Sequence, residues 1–88
     1  MKVRFFGSHS CRDCLKVFVL LNRSQVDYEY VDAYDEDVDV QLFCDINNVE
    51  ELPHLQFLND KEEVVIEHIG PIGEEDFLSY LSDYFPNY

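Results

Sequence analysis

Apolar and polar positions along this chain follow two periods, and the switches between them mark seven segments. Val3 to Phe6 is β-branched and aromatic and stops at Gly7-Ser8, which reads as a short, largely buried strand. Next, Cys14, Val17, Phe18 and Leu21 fall at i, i+3, i+4 and i+7 within Cys14 to Arg23. That spacing predicts an amphipathic helix. It begins at about Cys11 or Arg12, with Ser10 placed to cap it and Asp13 favourable in its first turn. Ser24-Gln25 breaks the helix. Val26, Tyr28 and Tyr30 then alternate with Asp27, Glu29 and Val31, a second strand.

Tyr34 to Asp39 is an acidic loop leading into a second helix, Asp39 to Asn47, with Val40, Phe43, Cys44 and Asn47 on one face. Val49 to Pro53 connects to a third strand, His54 to Leu58, in which Leu55 and Phe57 alternate with His54 and Gln56. Asn59 to Glu62 is a turn between two apolar runs, so Val64 to Ile69 is the hairpin partner of the third strand. Gly70-Pro71-Ile72-Gly73 punctuates the chain again. Phe77, Leu78, Leu81 and Phe85 mark a last amphipathic helix over Glu74 to Phe85, stopped by Pro86.

The order is β-α-β-α-β-β-α. Strands joined through helices are expected to be parallel and the last pair antiparallel. This is an α/β chain with a mixed four-stranded sheet and three helices. At 88 residues it is read as one domain, residues 1–88, with no linker and no internal repeat. A chain of this size buries only about 60% of its unfolded surface, so the core is modest.

Charge changes the picture. Six Lys and Arg stand against 19 Asp and Glu, a net charge of −13. A nucleic-acid binder needs a cationic face, and an anionic membrane repels this one. Strong acidity alone would also fit a disordered chain, but 47% of the residues are apolar and 15% aromatic, which argues for a folded core. The basic start Met1-Lys2-Val3-Arg4 precedes an apolar run far too short for a secretory signal, and no later run is long enough to span a bilayer. The expectation is a cytoplasmic protein.

The candidate chemistry lies in Cys11-Arg12-Asp13-Cys14. Three cysteines, the third being Cys44, fit a secreted disulfide framework poorly, and a CxxC after a strand in a βαβ context points to redox exchange. Cys11 falls at a helix start, where free N–H groups and the helix dipole stabilise a thiolate. Arg12 adds a positive charge, and Asp13 opposes it. Cys14, one turn inward on the apolar face, is expected to keep its proton. The spacing thus makes Cys11 the attacking sulfur and Cys14 the resolving one. The other readings of the motif are half of a zinc site, completed by Cys44 and a histidine, an iron–sulfur ligand pair, or a chance spacing.

The CxxC after the first strand, Leu52-Pro53 before the third and the glycine turn at Gly70 before the last helix together resemble the glutaredoxins and small thioredoxin-like proteins. The resemblance covers nearly the whole chain and implies a thioredoxin fold. It implies that Pro53 is cis and faces the cysteines, and that Leu52 offers backbone groups to a substrate. Arg12 and Gly70 join these as substrate-binding residues. The chain departs from the glutaredoxin pattern in several places. Arg12-Asp13 stands where Pro-Tyr is usual, and Ser8 stands where a lysine holds a glutathione carboxylate. Glu51-Leu52-Pro53 replaces Thr-Val-Pro, and Gly70-Pro71-Ile72-Gly73-Glu74-Glu75 replaces Gly-Gly-x-Asp-Asp.

These departures look more like the glutaredoxin-like hydrogen donors of ribonucleotide reductase. The implied function is a thiol-disulfide oxidoreductase that reduces protein disulfides, ribonucleotide reductase among them, without a prosthetic group. Glutathione or a reductase regenerates it, glutathione being the poorer donor. The expected protein is a monomer whose partners present a basic docking face. The alternative is a non-catalytic thioredoxin-fold binding or regulatory module, with a metal or an iron–sulfur cluster on the CxxC.

The remaining candidates have plainer readings. His9, two residues before Cys11, is read either as a solvated loop residue or as a group that favours the thiolate or shuttles a proton; His54 points to solvent, and His68 is a strand-surface residue. Cys44 is a buried small hydrophobe. Tyr28, Tyr30 and Tyr34 are packing residues. Asp32 to Asp39 lacks the central Gly and terminal Glu of a calcium loop and reads as a solvated acidic segment.

Overall fold

The computed structural model describes residues 1–87. Its elements are β1 (Lys2–Gly7), α1 (Arg12–Ser24), β2 (Tyr28–Asp32), α2 (Val38–Ile46), β3 (His54–Leu58), β4 (Val64–Ile69) and α3 (Glu74–Tyr84), in the expected β-α-β-α-β-β-α order. They form one mixed sheet in the order β2-β1-β3-β4. β1 and β2 are parallel and β3 and β4 antiparallel, as the connections predict. β3, however, runs antiparallel to β1, with Phe6 opposite His54 and Lys2 opposite Leu58. α2 joins β2 to β3, but the chain re-enters the sheet at the end from which β2 left it, so that helix is not a crossover between parallel strands.

Two layers of side chains cover the sheet. On one face Val3, Phe5, Leu55 and Phe57 pack with Cys14, Val17, Leu20 and Leu21 of α1 and Phe77 of α3. Burying each Phe or Leu contributes about 1.5–3 kcal/mol, so this face holds most of the cohesion. Leu78, expected on it, is 48% exposed; Phe77 and Leu81 face the sheet instead, with Tyr80 between them against Phe57.

α2 covers the other face. Phe43 packs on Phe6 with ring centroids 5.7 Å apart, and the Arg4 guanidinium lies 5.0 Å over Phe43. This corrects the reading of His54 as solvent-facing: it is 1% exposed, packed on Phe6. The alternation in β3 is real, but both of its faces are covered, so His54 and Gln56 are buried along with Leu55 and Phe57. Gln56 donates to Asn47 and Glu67 and accepts from Arg4. Neither ring nitrogen of His54 has a hydrogen-bond partner among the described residues, although Nε2 lies 3.4 Å from a Glu67 carboxylate oxygen.

α1 ends at Gln25, which takes the left-handed conformation at φ 56°, with Arg23 favourable in the last turn. His68 is half-buried rather than free on the strand surface, bonded to the Tyr80 hydroxyl at 2.7 Å and the Pro71 carbonyl at 2.9 Å. Among the described residues, no helix is long and apolar enough to cross a membrane.

Candidate functional site

β1 delivers the chain to one end of the sheet, and Ser8-His9-Ser10 turns it into α1. The cap of α1 is Cys11, not Ser10: Cys11 is extended at φ −95°, and its Sγ accepts the Cys14 N–H at 3.3 Å. Ser10 is used inside the turn, its hydroxyl 2.8 Å from that of Ser8 and its N–H donating to the Ser8 oxygen. A sulfur has therefore taken the place usually held by a capping oxygen, which fixes the Cys11 side chain over the open N–H groups of the first turn.

The two sulfurs occupy different surroundings. Cys11 is partly exposed, whereas Cys14 is fully buried, and both are free thiols. Burial pushes the Cys14 thiol up to about 12, helped by its hydrogen bond to the Cys11 sulfur and by negative charge at Cys11 and Asp13; the Ser8 backbone opposes the shift. Cys14 thus holds its proton firmly.

Gly7 matters for this geometry. A Cβ there would sit 2.6 and 2.8 Å from the Phe5 ring and 3.3 Å from the Cys14 sulfur. The missing side chain lets the end of β1 lie directly against the buried thiol.

Leu52, Pro53 and Gly70 gather at the same end of the sheet. The pairing of His54 with Phe6 brings Pro53 in beside Gly7, where β1 turns toward the cysteines. The Leu52–Pro53 peptide is cis. Pro53 is buried, and its carbonyl accepts the Gly70 N–H at 2.8 Å. Gly70 has φ +96°, a conformation that an L-residue adopts only under strain. Leu52 is partly buried against the cluster that also contains Cys11 and Cys14. Arg12 is exposed beside Cys11 and makes no ion pair among the described residues, while Asp13 lies 3.7 Å from Lys16.

Two aromatic side chains beside α1 complete this region: His9, which its place before Cys11 already suggests, and Tyr30, which the sequence reads only as packing. The His9 ring, exposed, stacks on Phe18 at 5.5 Å and meets Tyr30 edge-on at 5.4 Å. The Tyr30 ring packs against Phe18 at 4.8 Å and Phe5 at 5.3 Å, and its buried hydroxyl has no hydrogen-bond partner among the described residues. The register Phe5–Tyr30 across the parallel pair puts this residue beside Phe5 and Phe18, and single-strand alternation does not contain it.

No group of three or more His, Cys, Asp or Glu side chains able to hold a metal is assembled among the described residues. Cys44 is 5% exposed on α2, across the sheet from Cys14, and burial raises its thiol above the ordinary value. In the acidic segment, Asp32, Asp35 and Asp37 accept the backbone N–H groups of Tyr34, Asp37 and Asp39, so these carboxylates shape turns.

No protein-family model matches the chain, and no curated protein matches it. Solved structures do. It is similar to thioredoxin 1 from the thermophilic eubacterium Thermosipho africanus, at 16% identity and a TM-score of 0.73, covering 98% of this chain and 96% of that one. It is similar to thioredoxin O2 from Arabidopsis thaliana in its oxidised state, at 19% identity and a TM-score of 0.75, covering 96% and 74%. Thioredoxin f2 from Chlamydomonas reinhardtii matches at 13% identity and a TM-score of 0.71, covering 99% and 81%. The chain has the thioredoxin fold that the resemblance implied. The likeness carries nothing particular to glutaredoxins.

Proposed function

We propose that this thioredoxin-fold chain is a thiol-disulfide oxidoreductase that reduces protein disulfides through Cys11 and Cys14. One observation carries the reading: a partly exposed sulfur caps α1, accepting the Cys14 backbone N–H, while a second sulfur, fully buried and holding its proton, sits one turn inward. Cys11, as a thiolate, attacks one sulfur of a substrate disulfide. The substrate S–S bond breaks, its other sulfur leaves and takes a proton, and a mixed disulfide joins Cys11 to the substrate. Cys14 then loses its proton and attacks the Cys11 sulfur. The mixed disulfide breaks, the second substrate sulfur leaves as a thiol, and Cys11–Cys14 is left oxidised. Two electrons pass from the pair to the substrate, with no prosthetic group involved. A cellular dithiol donor such as a reductase restores the pair.

The backbone at Leu52 and the turn at Gly70 lie at the same end of the sheet as the sulfur and are proposed to hold a bound chain there, with Arg12 the exposed cation next to Cys11. With Ser8 buried and bonded to Ser10, no side chain at that position is free to hold a glutathione carboxylate. Glutathione is therefore the weaker donor in this proposal. The charge of −13 selects partners with a basic docking face, whose binding weakens as salt rises. Turnover of a protein disulfide tests the reading. Cys11→Ser is expected to abolish it and Cys14→Ser to accumulate the mixed disulfide on Cys11; full activity in Cys11→Ser would overturn the proposal.

A further inference from the structure

α2 carries apolar side chains on both of its sides. Val40, Phe43 and Cys44 form the side that is covered by the sheet. Val38, Leu42 and Ile46 follow one another at i, i+4 and i+8 on the outer side and are 70%, 53% and 76% exposed. Tyr34, in the turn before the helix, is 69% exposed. Ile46, Val38 and Tyr34 are the three most exposed large apolar side chains among the described residues. Scattered exposed apolar residues are ordinary, but a row that runs the length of a nine-residue helix is not scattered.

Carboxylates border this row on either side. Helix residues seven apart fall nearly on one line, so Asp45 runs beside Val38, and Asp39 beside Ile46. Asp39 also belongs to a groove between α2 and β2, lined in addition by Val31, Val40 and Phe43 and by Asp32 and Asp35. None of Asp32, Asp35, Asp39 and Asp45 is ion-paired among the described residues. The reason lies in the sequence: no Lys or Arg occurs from Ser24 to Asp60. Arg4, which reaches over Phe43 from β1, is taken up by Glu29 and Gln56. An uncovered apolar row is thus joined to an acidic border that nothing neutralises.

We propose that the outer face of α2 is a docking surface for a basic amphipathic helix of a partner protein. Apolar side chains at i, i+3 and i+4 of that helix cover Val38, Leu42 and Ile46, and its lysines or arginines reach Asp39 and Asp45. The groove suits a long cationic side chain, whose aliphatic stem lies on Val31 and Val40 while its charge meets Asp32 and Asp35. Charge argues against the other occupants. A second copy of this chain sets like carboxylates against each other, and a net charge of −13 repels an anionic bilayer. The proposal does not depend on the dithiol reading. α2 lies across the sheet from α1, so a helix held there leaves Cys11 open.

The probe is a fluorescent synthetic helix of leucine and lysine, about 18 residues long, with leucines spaced i, i+3 and i+4. Anisotropy titration with the full chain is expected to show saturable binding that weakens as salt rises. Leu42→Gln with Ile46→Gln keeps the net charge and is expected to weaken binding about ten-fold, because the row loses its apolar contacts. Leu78→Gln, at a similarly exposed site on α3, is the control and is expected to change nothing. Asp39→Asn with Asp45→Asn is expected to weaken binding and flatten its salt dependence. All five positions are exposed, and circular dichroism checks that each variant folds. No binding by the wild type, or full binding by the double-glutamine protein, would overturn the proposal. So would protection of Cys11 from alkylation by the bound peptide, which would move the site to the thiols. Dimerisation of the wild type in sedimentation, abolished by the same glutamines, would overturn it in favour of a second copy.

Discussion

Brief exposure of the reduced protein to a limiting alkylating reagent at pH 7.5 should label Cys11 and leave Cys14 almost untouched. The size of the difference follows from the burial of Cys14, which holds its thiol at about 12. About 3 × 10⁻⁵ of such a thiol is ionised at that pH, against about a tenth of an ordinary thiol of pKa about 8.5. Ionisation alone makes Cys14 about 3,000-fold slower. Intrinsic nucleophilicity rises with pKa at a Brønsted slope of about 0.45, which returns about 40-fold and leaves a deficit of about 80-fold. Exclusion of reagent from a fully buried sulfur can only enlarge it. The assay is peptide mass mapping of initial labelling, with an unstructured cysteine peptide in the same tube as the standard. Labelling of Cys14 within about ten-fold of that standard would show that burial does not control the pair as argued.

Two further outcomes follow from the same geometry. Cys14 stabilises the fold only while protonated, since its folded value lies above the unfolded one. The stability gap between wild type and Cys14→Ala should therefore be constant below about pH 8.5 and shrink as pH rises toward 12, by at most on the order of 5 kcal/mol. Denaturant titrations of both proteins across that window check this, and a gap that widens with pH would contradict it. Gly70→Ala meets no steric clash but forces an L-residue to φ +96°, so a loss of about 1–3 kcal/mol is expected in chemical denaturation. An unchanged unfolding midpoint would contradict the strain argument.

The elements that local periodicity encodes were legible in the letters. α1 carries its stripe at Cys14, Val17 and Leu21, and the hairpin β3–β4 is announced by the polar turn between two apolar runs. The thiol pair was legible because its spacing and its place after a strand are both local. What required the structure depends on contacts between distant segments. His54 alternates correctly with Leu55, yet α2 covers the side that alternation assigns to water. The direction of β3 depends on which end of the sheet the connector after α2 returns to, which no local pattern states. Ser10 looked like the cap because serine is the commoner capping residue, whereas Cys11 holds that place with its sulfur. Gly7 read as a strand stop, and its closeness to the Cys14 sulfur emerges only when β1 and α1 pack. Tyr30 reads as a packing residue, as its ring indeed is, and that its buried hydroxyl is left without a partner among the described residues emerges only in the folded chain.

The central claim is that the sulfur capping α1 and the one buried a turn below it exchange as a pair. Disulfide mapping after the reduced protein has been incubated with a substoichiometric protein disulfide tests this most directly. The account requires one new bond, Cys11–Cys14, formed in step with the substrate thiols released, and Cys44 still free under α2. A substrate left intact, or a bond that recruits Cys44, would contradict it.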